Sequence, residues 1–167
     1  MRTSANSLFR CIPLALLAAI VVGGCAARSV PNSSATYRVI GGETYAPAPL
    51  ATSEYVREAA SLVLPVGDHW PATPVRLSEA GGADWYGIGY GRQAADRYWF
   101  CRWSSLAVTT RSNEVRNRAV SRLMAIFKLY YCVHALDAPS RPPLVAEMHQ
   151  AQRGDLSALR TDVRQNC

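Results

Sequence analysis

The stretch EVRNRAVSRLMAIFKLYYCV, residues 114–133, decides the fold. Its apolar side chains recur at intervals of three and four residues, at Val115, Ala119, Leu123, Ile126, Tyr130 and Val133. Arginines occupy the other faces. This spacing predicts an amphipathic α-helix over residues 114–136, with an apolar stripe wide enough to pack against a core.

A second helix precedes this one in the sequence. From Gln93 to Thr110 the period is again helical, with one face formed by Ala95, Trp99, Trp103, Leu106 and Thr110. The polar residues at 110–113 supply a turn and a cap, which predicts that the two helices are antiparallel. Shorter helices are expected from Thr52 or Ser53, over residues 144–152, and after the cap at Gly154-Asp155. We therefore predict a mainly α-helical domain of four to five helices.

Two regions depart from the helical pattern. β-Formers flank Gly41-Gly42, which favours a short hairpin at the N-terminal end of the domain. Residues 65–91 contain many prolines and glycines, which exclude a long helix there. We expect this stretch to be an ordered, irregular segment rich in aromatic residues.

Composition limits the class of protein. The chain has 167 residues, of which 49% are hydrophobic and 18% charged, and its formal net charge is +6. It is too apolar for a disordered protein and too short for a usual two-domain protein. Collagen-like and coiled-coil compositions are excluded as well.

The N-terminus predicts export. Arg2 and Arg10 bracket a charged region, an apolar run covers residues 11–22, and Val22-Gly23-Gly24-Cys25 follows. This ending resembles the lipobox of bacterial lipoprotein signals, which implies cleavage before Cys25 and diacylation of its sulfur. The alternative is an uncleaved membrane helix over residues 11–27, but Pro13 and the glycine pair argue against it.

This interpretation divides the chain into three parts. Residues 1–24 form the signal peptide, residues 25–50 the lipidated cysteine and a flexible tether, and residues 51–167 a single helical domain. The protein is expected on the outer face of the cell membrane, held there by its lipid. Cleavage leaves a net charge of +4, which suits anionic lipid or wall polymer, and nucleic acid is excluded as a partner outside the cell.

Three cysteines remain for the exported domain: Cys101, Cys132 and Cys167. In a helical hairpin turning near Ser112, Cys101 and Cys132 are offset by roughly 14 Å, about twice the Cα separation that a disulfide allows. Cys167 can reach either partner. We favour Cys101–Cys167, which closes a long loop, and Cys132 is then a buried thiol.

Catalytic and metal-binding patterns are missing from the sequence. The histidines, His69, His134 and His149, show no zinc-ligand spacing, and no nucleophile elbow is present. No cofactor is predicted. The alternative to a binding protein is a small extracytoplasmic hydrolase with its site near Asp68 and His69.

Aromatic residues are the most informative candidates for a binding site. Trp70, Trp85, Tyr86 and Tyr90 lie in or next to the irregular segment, close in sequence to the tryptophans of the following helix. If exposed, they form a surface for stacking on sugars or a partner protein. If buried, they hold the irregular segment against the helices, which is the usual way in which a long loop stays ordered.

Several short motifs carry a resemblance to a wider group. LPVGDHWP (64–71), GYGRQ (89–93), YWFCRW (98–103) and the ending from Gly154-Asp155 to Asn166-Cys167 are similar to secreted or lipid-anchored proteins of high-GC Gram-positive (actinobacterial) bacteria. The resemblance supports the pairing of Cys101 with Cys167, and it suggests no particular activity. We predict a non-catalytic binding module of the cell envelope, with an envelope protein or a cell-wall glycan as its partner.

Overall fold

A computed structural model of the protein describes residues 36–74, Leu77 and residues 85–167. All of these belong to one compact unit, Ser34–Cys167. The unit is mainly helical and carries a small antiparallel sheet, which confirms the predicted fold class. No helix among the described residues is both long and apolar enough to cross a bilayer.

The sheet has the strand order β1-β2-β3. Its strands are β1 (Arg38–Ile40), β2 (Glu43–Pro47) and β3 (Trp85–Gly87). Between β1 and β2, Gly41 and Gly42 have φ angles of 60° and 85°, the left-handed region that a tight hairpin turn requires. The predicted hairpin is therefore confirmed.

The flexible tether predicted over residues 25–50 extends too far into the domain. β1 and β2 lie within that range, and β2 passes directly into helix α1 (Ala48–Ala59), so α1 begins before Thr52. Pro49 lies in the first turn of α1. Proline is tolerated there because the backbone N–H groups of a first turn have no partner within the helix. Ser53 lies inside α1 and donates its hydroxyl to the carbonyl of Pro49 (2.9 Å) instead of capping the helix. Residues 1–35, with the predicted signal peptide and Cys25, lie outside the described residues.

Helix α2 (Tyr90–Thr109) is the centre of the domain. It packs against α1 and against α3 (Asn113–Leu123). Ser112 caps α3, since its Oγ accepts the N–H of Val115 at 3.3 Å. The predicted apolar face of α2 is confirmed at its centre, where Ala95, Trp99 and Trp103 are buried.

The predicted continuous helix over residues 114–136 is wrong. α3 ends at Leu123, and a 3-10 helix (Met124–Lys128) and a π-helical turn (Tyr131–Ala135) follow. At this break, Oδ2 of the buried Asp96 on α2 accepts the backbone N–H of Tyr131 at 2.8 Å. A carboxylate from a neighbouring helix therefore takes a donor that a regular α-helix would use, and Val133 is left 44% exposed instead of joining the stripe.

Two further helices complete the domain: α4 (Arg141–Gln152) and α5 (Ser157–Asn166). The turn between them is the predicted one, with Gly154 at a φ of 91° and Oδ1 of Asp155 accepting the N–H of Ser157 at 3.0 Å. Met148 and Leu159 bring both helices into the core that α2 and α3 share.

Candidate functional site

Two tryptophans of α2 hold the irregular segment that follows α1. The indole N–H groups of Trp99 and Trp103 both donate to the carbonyl of Val63, at 3.0 and 2.9 Å. A carbonyl oxygen has two lone pairs, so one backbone atom satisfies two buried donors. These bonds attach residues 60–74 to the centre of the domain.

Tyrosines extend this attachment along the same segment. Tyr98 donates its hydroxyl to the carbonyl of His69 (2.9 Å), and Tyr55 donates to that of Pro71 (3.0 Å). The ring of Trp70 lies between them, 5.9 Å from the ring of Tyr55 and 5.2 Å from that of Tyr98. Of the two interpretations of Trp70, these contacts favour the one in which it holds the segment in place.

Asp68, the acid of the alternative hydrolase site, is engaged in an ion pair. The guanidinium of Arg102 contacts both of its carboxylate oxygens, with 2.9 Å from Nε to Oδ2. These hydrogen bonds hold the pKa of Asp68 below its usual range. The neighbouring His69 is exposed, and its carbonyl is part of the attachment by Tyr98. The observed contacts of Asp68 and His69 therefore attach residues 60–74 to α2.

The other predicted aromatic residues lie near the sheet and the start of α2. Trp85 on β3 carries the guanidinium of Arg38 over its ring, at 4.2 Å from the ring centroid. The rings of Tyr86 and Tyr90 are 4.8 Å apart. Trp70 contacts other rings, those of Tyr55 and Tyr98. The four predicted aromatic residues therefore take part in separate local contacts.

An open groove of about 400 Å³ runs along one face of α2. Its floor includes α2 residues spaced by three and four positions, Tyr90, Gln93, Arg97, Cys101 and Ser105, and Tyr98 lies beside them. At 1.5 Å per residue this face extends for about 22 Å. Pro71 and Pro74 line the groove from the irregular segment, and Asn166 and Cys167 line it from the C-terminus.

A disulfide fixes the C-terminal wall of the groove. Cys101 on α2 is bonded to Cys167, with 5.4 Å between their Cα atoms. This is the favoured pairing from the sequence, and Cys132 is a free, buried thiol as expected. The last residues of the chain are thereby held against α2, where they line the groove.

The two arginines of the groove differ in their partners. Arg102 is neutralised by Asp68, whereas Arg97 forms no ion pair within the part of the chain that the structure describes. The side chain of Arg97 is exposed. Among the described residues, the groove is therefore lined by one guanidinium without an ion pair and by the tyrosines Tyr90 and Tyr98. This is a suitable arrangement for a ligand with an anionic group and a flat, partly apolar face.

The two glycines at the start of α2, Gly89 and Gly91, have a packing role. The carboxylate of Glu54 on α1 accepts the N–H groups of Gly89 (3.1 Å) and Gly91 (3.2 Å). A Cβ at Gly91 would collide with the carbonyl of Ala51, so α1 and α2 approach each other most closely here. The carboxylate of Glu54 occupies the place where a helix start would otherwise attract an anion.

Asp96 is the buried ionisable group nearest to the centre of the fold. Its Oδ1 has no hydrogen-bond partner among the described residues, and burial raises the pKa of this carboxyl to about 6. Asp96 belongs to α2 but does not line the groove. Among residues 36–74, 77 and 85–167, no cluster of three or more histidine, cysteine or acidic side chains could hold a metal ion.

Of the predicted site residues, Tyr90, Cys101 and Cys167 line the groove together. Arg97, which was not predicted, lines it as well. Sequence reasoning missed Arg97 because a surface arginine carries no signal of its own. The available signal was its position four residues before Cys101, on the face that the C-terminus covers. No protein family model, curated protein or solved structure matches this chain.

Proposed function

We propose that this chain is a lipid-anchored protein of the bacterial cell envelope that binds an acidic sugar of the cell wall, without catalysis, in the groove along α2. The observation that carries this proposal is the groove itself, which is lined by Tyr90, by Tyr98 and by Arg97, an arginine without an ion pair among the described residues. Its volume of about 400 Å³ falls within the usual range for small-molecule sites.

The proposed location rests on the N-terminal sequence and on the disulfide. Val22-Gly23-Gly24-Cys25 resembles a lipobox, and Thr36 follows Cys25 by only 11 residues. A chain of that length spans at most about 40 Å, so a lipid on Cys25 would keep the domain beside the membrane and the wall. A disulfide between Cys101 and Cys167 is typical of an oxidising compartment outside the cytoplasm.

The proposed ligand class follows from the chemistry of the groove. Tyrosine rings present flat faces on which the C–H groups of a sugar ring can pack, while their hydroxyls bind polar groups. A guanidinium binds a carboxylate through two parallel hydrogen bonds, which are stronger than bonds between neutral groups. An acidic sugar satisfies both features, whereas a neutral sugar leaves Arg97 without a partner.

A binding function is preferred to hydrolysis because of the state of Asp68. Its two oxygens are occupied by Arg102, and the lowered pKa makes it a poor proton donor at neutral pH. The side chain of Asp68 is not among the residues that line the groove. We therefore assign the Asp68–Arg102 pair to the positioning of the groove wall.

Calorimetric titration of the mature protein in detergent micelles tests the ligand class. The probes are N-acetylmuramic acid and N-acetylglucosamine, since the second sugar lacks the carboxylate of the first. We expect the acid to bind at least tenfold more tightly, and Arg97→Gln to remove that preference. The matched control is Arg118→Gln, an exposed arginine on α3. Equal affinity for the two sugars, or cross-linking of the groove to an envelope protein instead, would contradict the proposal.

Lipidation is tested separately from ligand binding. The native protein should lack residues 1–24 and carry acyl groups on Cys25, as shown by intact mass. Cys25→Ser should abolish labelling with palmitate. An unmodified, uncleaved N-terminus would disprove the proposed anchor without affecting the groove.

A further inference from the structure

A second, smaller cavity lies beside the groove, between α2, α4 and α5. Its volume is about 180 Å³, too small for a sugar with substituents but sufficient for one small organic ion. Arg97, Cys101 and Asn166 line both this cavity and the groove, so the two spaces share a wall. A ligand in the groove could therefore place one substituent in the cavity.

The cavity is lined by one positive and one negative side chain. Arg97 comes from α2 and Asp162 from α5. Within the described ranges these side chains form no ion pair, either with each other or with another group. Oδ1 of Asp162 accepts a hydrogen bond from Nδ2 of Asn166 (2.7 Å), whereas Oδ2 accepts none from the described residues. The cavity thus offers a cationic donor and an anionic acceptor at the same time.

Aromatic and acidic neighbours add to this arrangement. The guanidinium of Arg97 is 5.8 Å from the ring centroid of Tyr131. The pKa of Tyr131 is raised by burial, and the charges of both Arg97 and Asp162 act on its hydroxyl. Among the described residues, Oε1 of Glu147 is buried without a hydrogen-bond partner, and burial and the charge of Asp162 raise the pKa of Glu147 to about 7. The negative charge that lines the cavity is therefore that of Asp162, and the ring of Tyr131 lines the same cavity.

We propose that this cavity binds the ammonium and carboxylate groups of an α-amino acid, with Asp162 receiving the ammonium and Arg97 the carboxylate. A zwitterion fits this site because each of its charges finds a fixed partner, which a simple carboxylate or amine does not. Phe100 and Tyr131 supply apolar surface for a short side chain and favourable faces for the ammonium. The inference extends the proposed function, since Arg97 belongs to both spaces: the complete ligand carries a free amine next to its acidic group.

Three small probes test the cavity in the wild-type mature protein. Alanine carries both charges, propionate only the carboxylate, and ethylamine only the ammonium. We expect alanine to bind at least tenfold more tightly than either of the others, with NMR shifts at the amide of Tyr131 and the side-chain amide of Asn166. Equal affinities for alanine and propionate would overturn the inference, and this comparison requires no variant.

The variant Asp162→Asn gives an independent test. It preserves the Oδ1 acceptor for Asn166 and removes the charge, so we expect alanine affinity to fall at least tenfold while N-acetylmuramic acid binding stays within twofold. The matched control, Glu114→Gln, removes an exposed acid from α3 and should change neither affinity. Unchanged alanine binding in Asp162→Asn would contradict the inference. If the protein bound the acidic sugar but not alanine, the inference about the cavity would be wrong and the proposed function would stand. If it bound alanine but not the acidic sugar, only the proposed function would be wrong.

Discussion

Two faces of α2 use the same residue types in opposite ways. On the core face, Trp99 and Trp103 are buried and their N–H groups are bonded to Val63. On the groove face, Tyr90 is partly exposed and Arg97 has no ion pair among the described residues. The rings on the core face are enclosed by the fold, whereas Tyr90 and Tyr98 on the groove face contact other rings and still line the groove beside Arg97. The distinction depends on exposure and on the charge of the neighbouring group.

The largest expected effect separates these two faces directly. Trp99→Ala with Trp103→Ala removes two buried rings, each worth about 3–5 kcal/mol. Since small domains have total stabilities of about 5–15 kcal/mol, the double variant should fail to fold or unfold at very low denaturant. Urea unfolding followed by circular dichroism measures this. Tyr90→Ala on the groove face is the comparison and should cost about 1 kcal/mol or less.

The disulfide is the next largest contribution, because it fixes the groove wall. Cys101→Ser with Cys167→Ser should lower the free energy of unfolding by about 4 kcal/mol in the chain-entropy description. Peptide mapping without reductant should find Cys101 linked to Cys167 and Cys132 as a thiol. A link from Cys132 to either of the other cysteines would contradict the structure of the groove wall.

Because Asp96 is buried on α2, it makes the free energy of unfolding depend on pH. Its pKa is about 6 in the fold and 3.8 ordinarily. The folded state therefore holds the proton more tightly, and this stabilisation is complete below pH 3.8 and lost as the pH rises through 6. Glu147, with its pKa raised to about 7, acts in the same direction.

We therefore expect the free energy of unfolding to fall between pH 5 and pH 8, by about 1.4 kcal/mol on account of Asp96. Asp96→Asn keeps an acceptor for the N–H of Tyr131 and should remove the part of this fall that is due to Asp96, leaving the part due to Glu147, whose raised pKa of about 7 lies inside the range. Urea titrations at pH 5, 6, 7 and 8 measure both proteins. Stability that rises over this range would contradict the buried, unpaired state of Asp96.

The smallest effect concerns the Asp68–Arg102 pair. Both side chains are partly exposed, at 19% for Asp68 and 41% for Arg102, so Asp68→Asn should cost about 1 kcal/mol or less. We expect the loss to appear locally, as faster hydrogen exchange in residues 60–74, because the pair attaches that segment to α2. Glu114→Gln, in the exposed pair with Arg118, serves as the comparison and should leave exchange there unchanged.

Local patterns in the sequence predicted the elements whose causes are local. The Gly41-Gly42 turn, the core face at Ala95 and Trp99, and the cap at Asp155 all follow from spacing or from turn chemistry. The break after Leu123 could not be predicted in this way, because it involves a carboxylate 35 residues earlier in the chain. Tertiary contacts override a helical period when they take its backbone donors.

The candidate site shows the same limit. The helical spacing and the position of Cys167 at the end of the chain favoured the pairing of Cys101 with Cys167. They did not predict that this disulfide would form one wall of a groove. Trp70 could be assigned to packing or to binding, and only its contacts with Tyr55 and Tyr98 decide between them. Arg97 became a candidate only when the ion pairs of the described residues were known, since it takes part in none of them.

The most direct test of the account is an NMR titration of the mature protein with N-acetylmuramic acid, observing side-chain signals on both faces of α2. We predict shifts for the guanidinium of Arg97 and the rings of Tyr90 and Tyr98, with the indole N–H signals of Trp99 and Trp103 unchanged. Arg97→Gln should remove these shifts. Shifts confined to the indole signals, or none at saturating sugar, would contradict the assignment of the groove face to ligand binding.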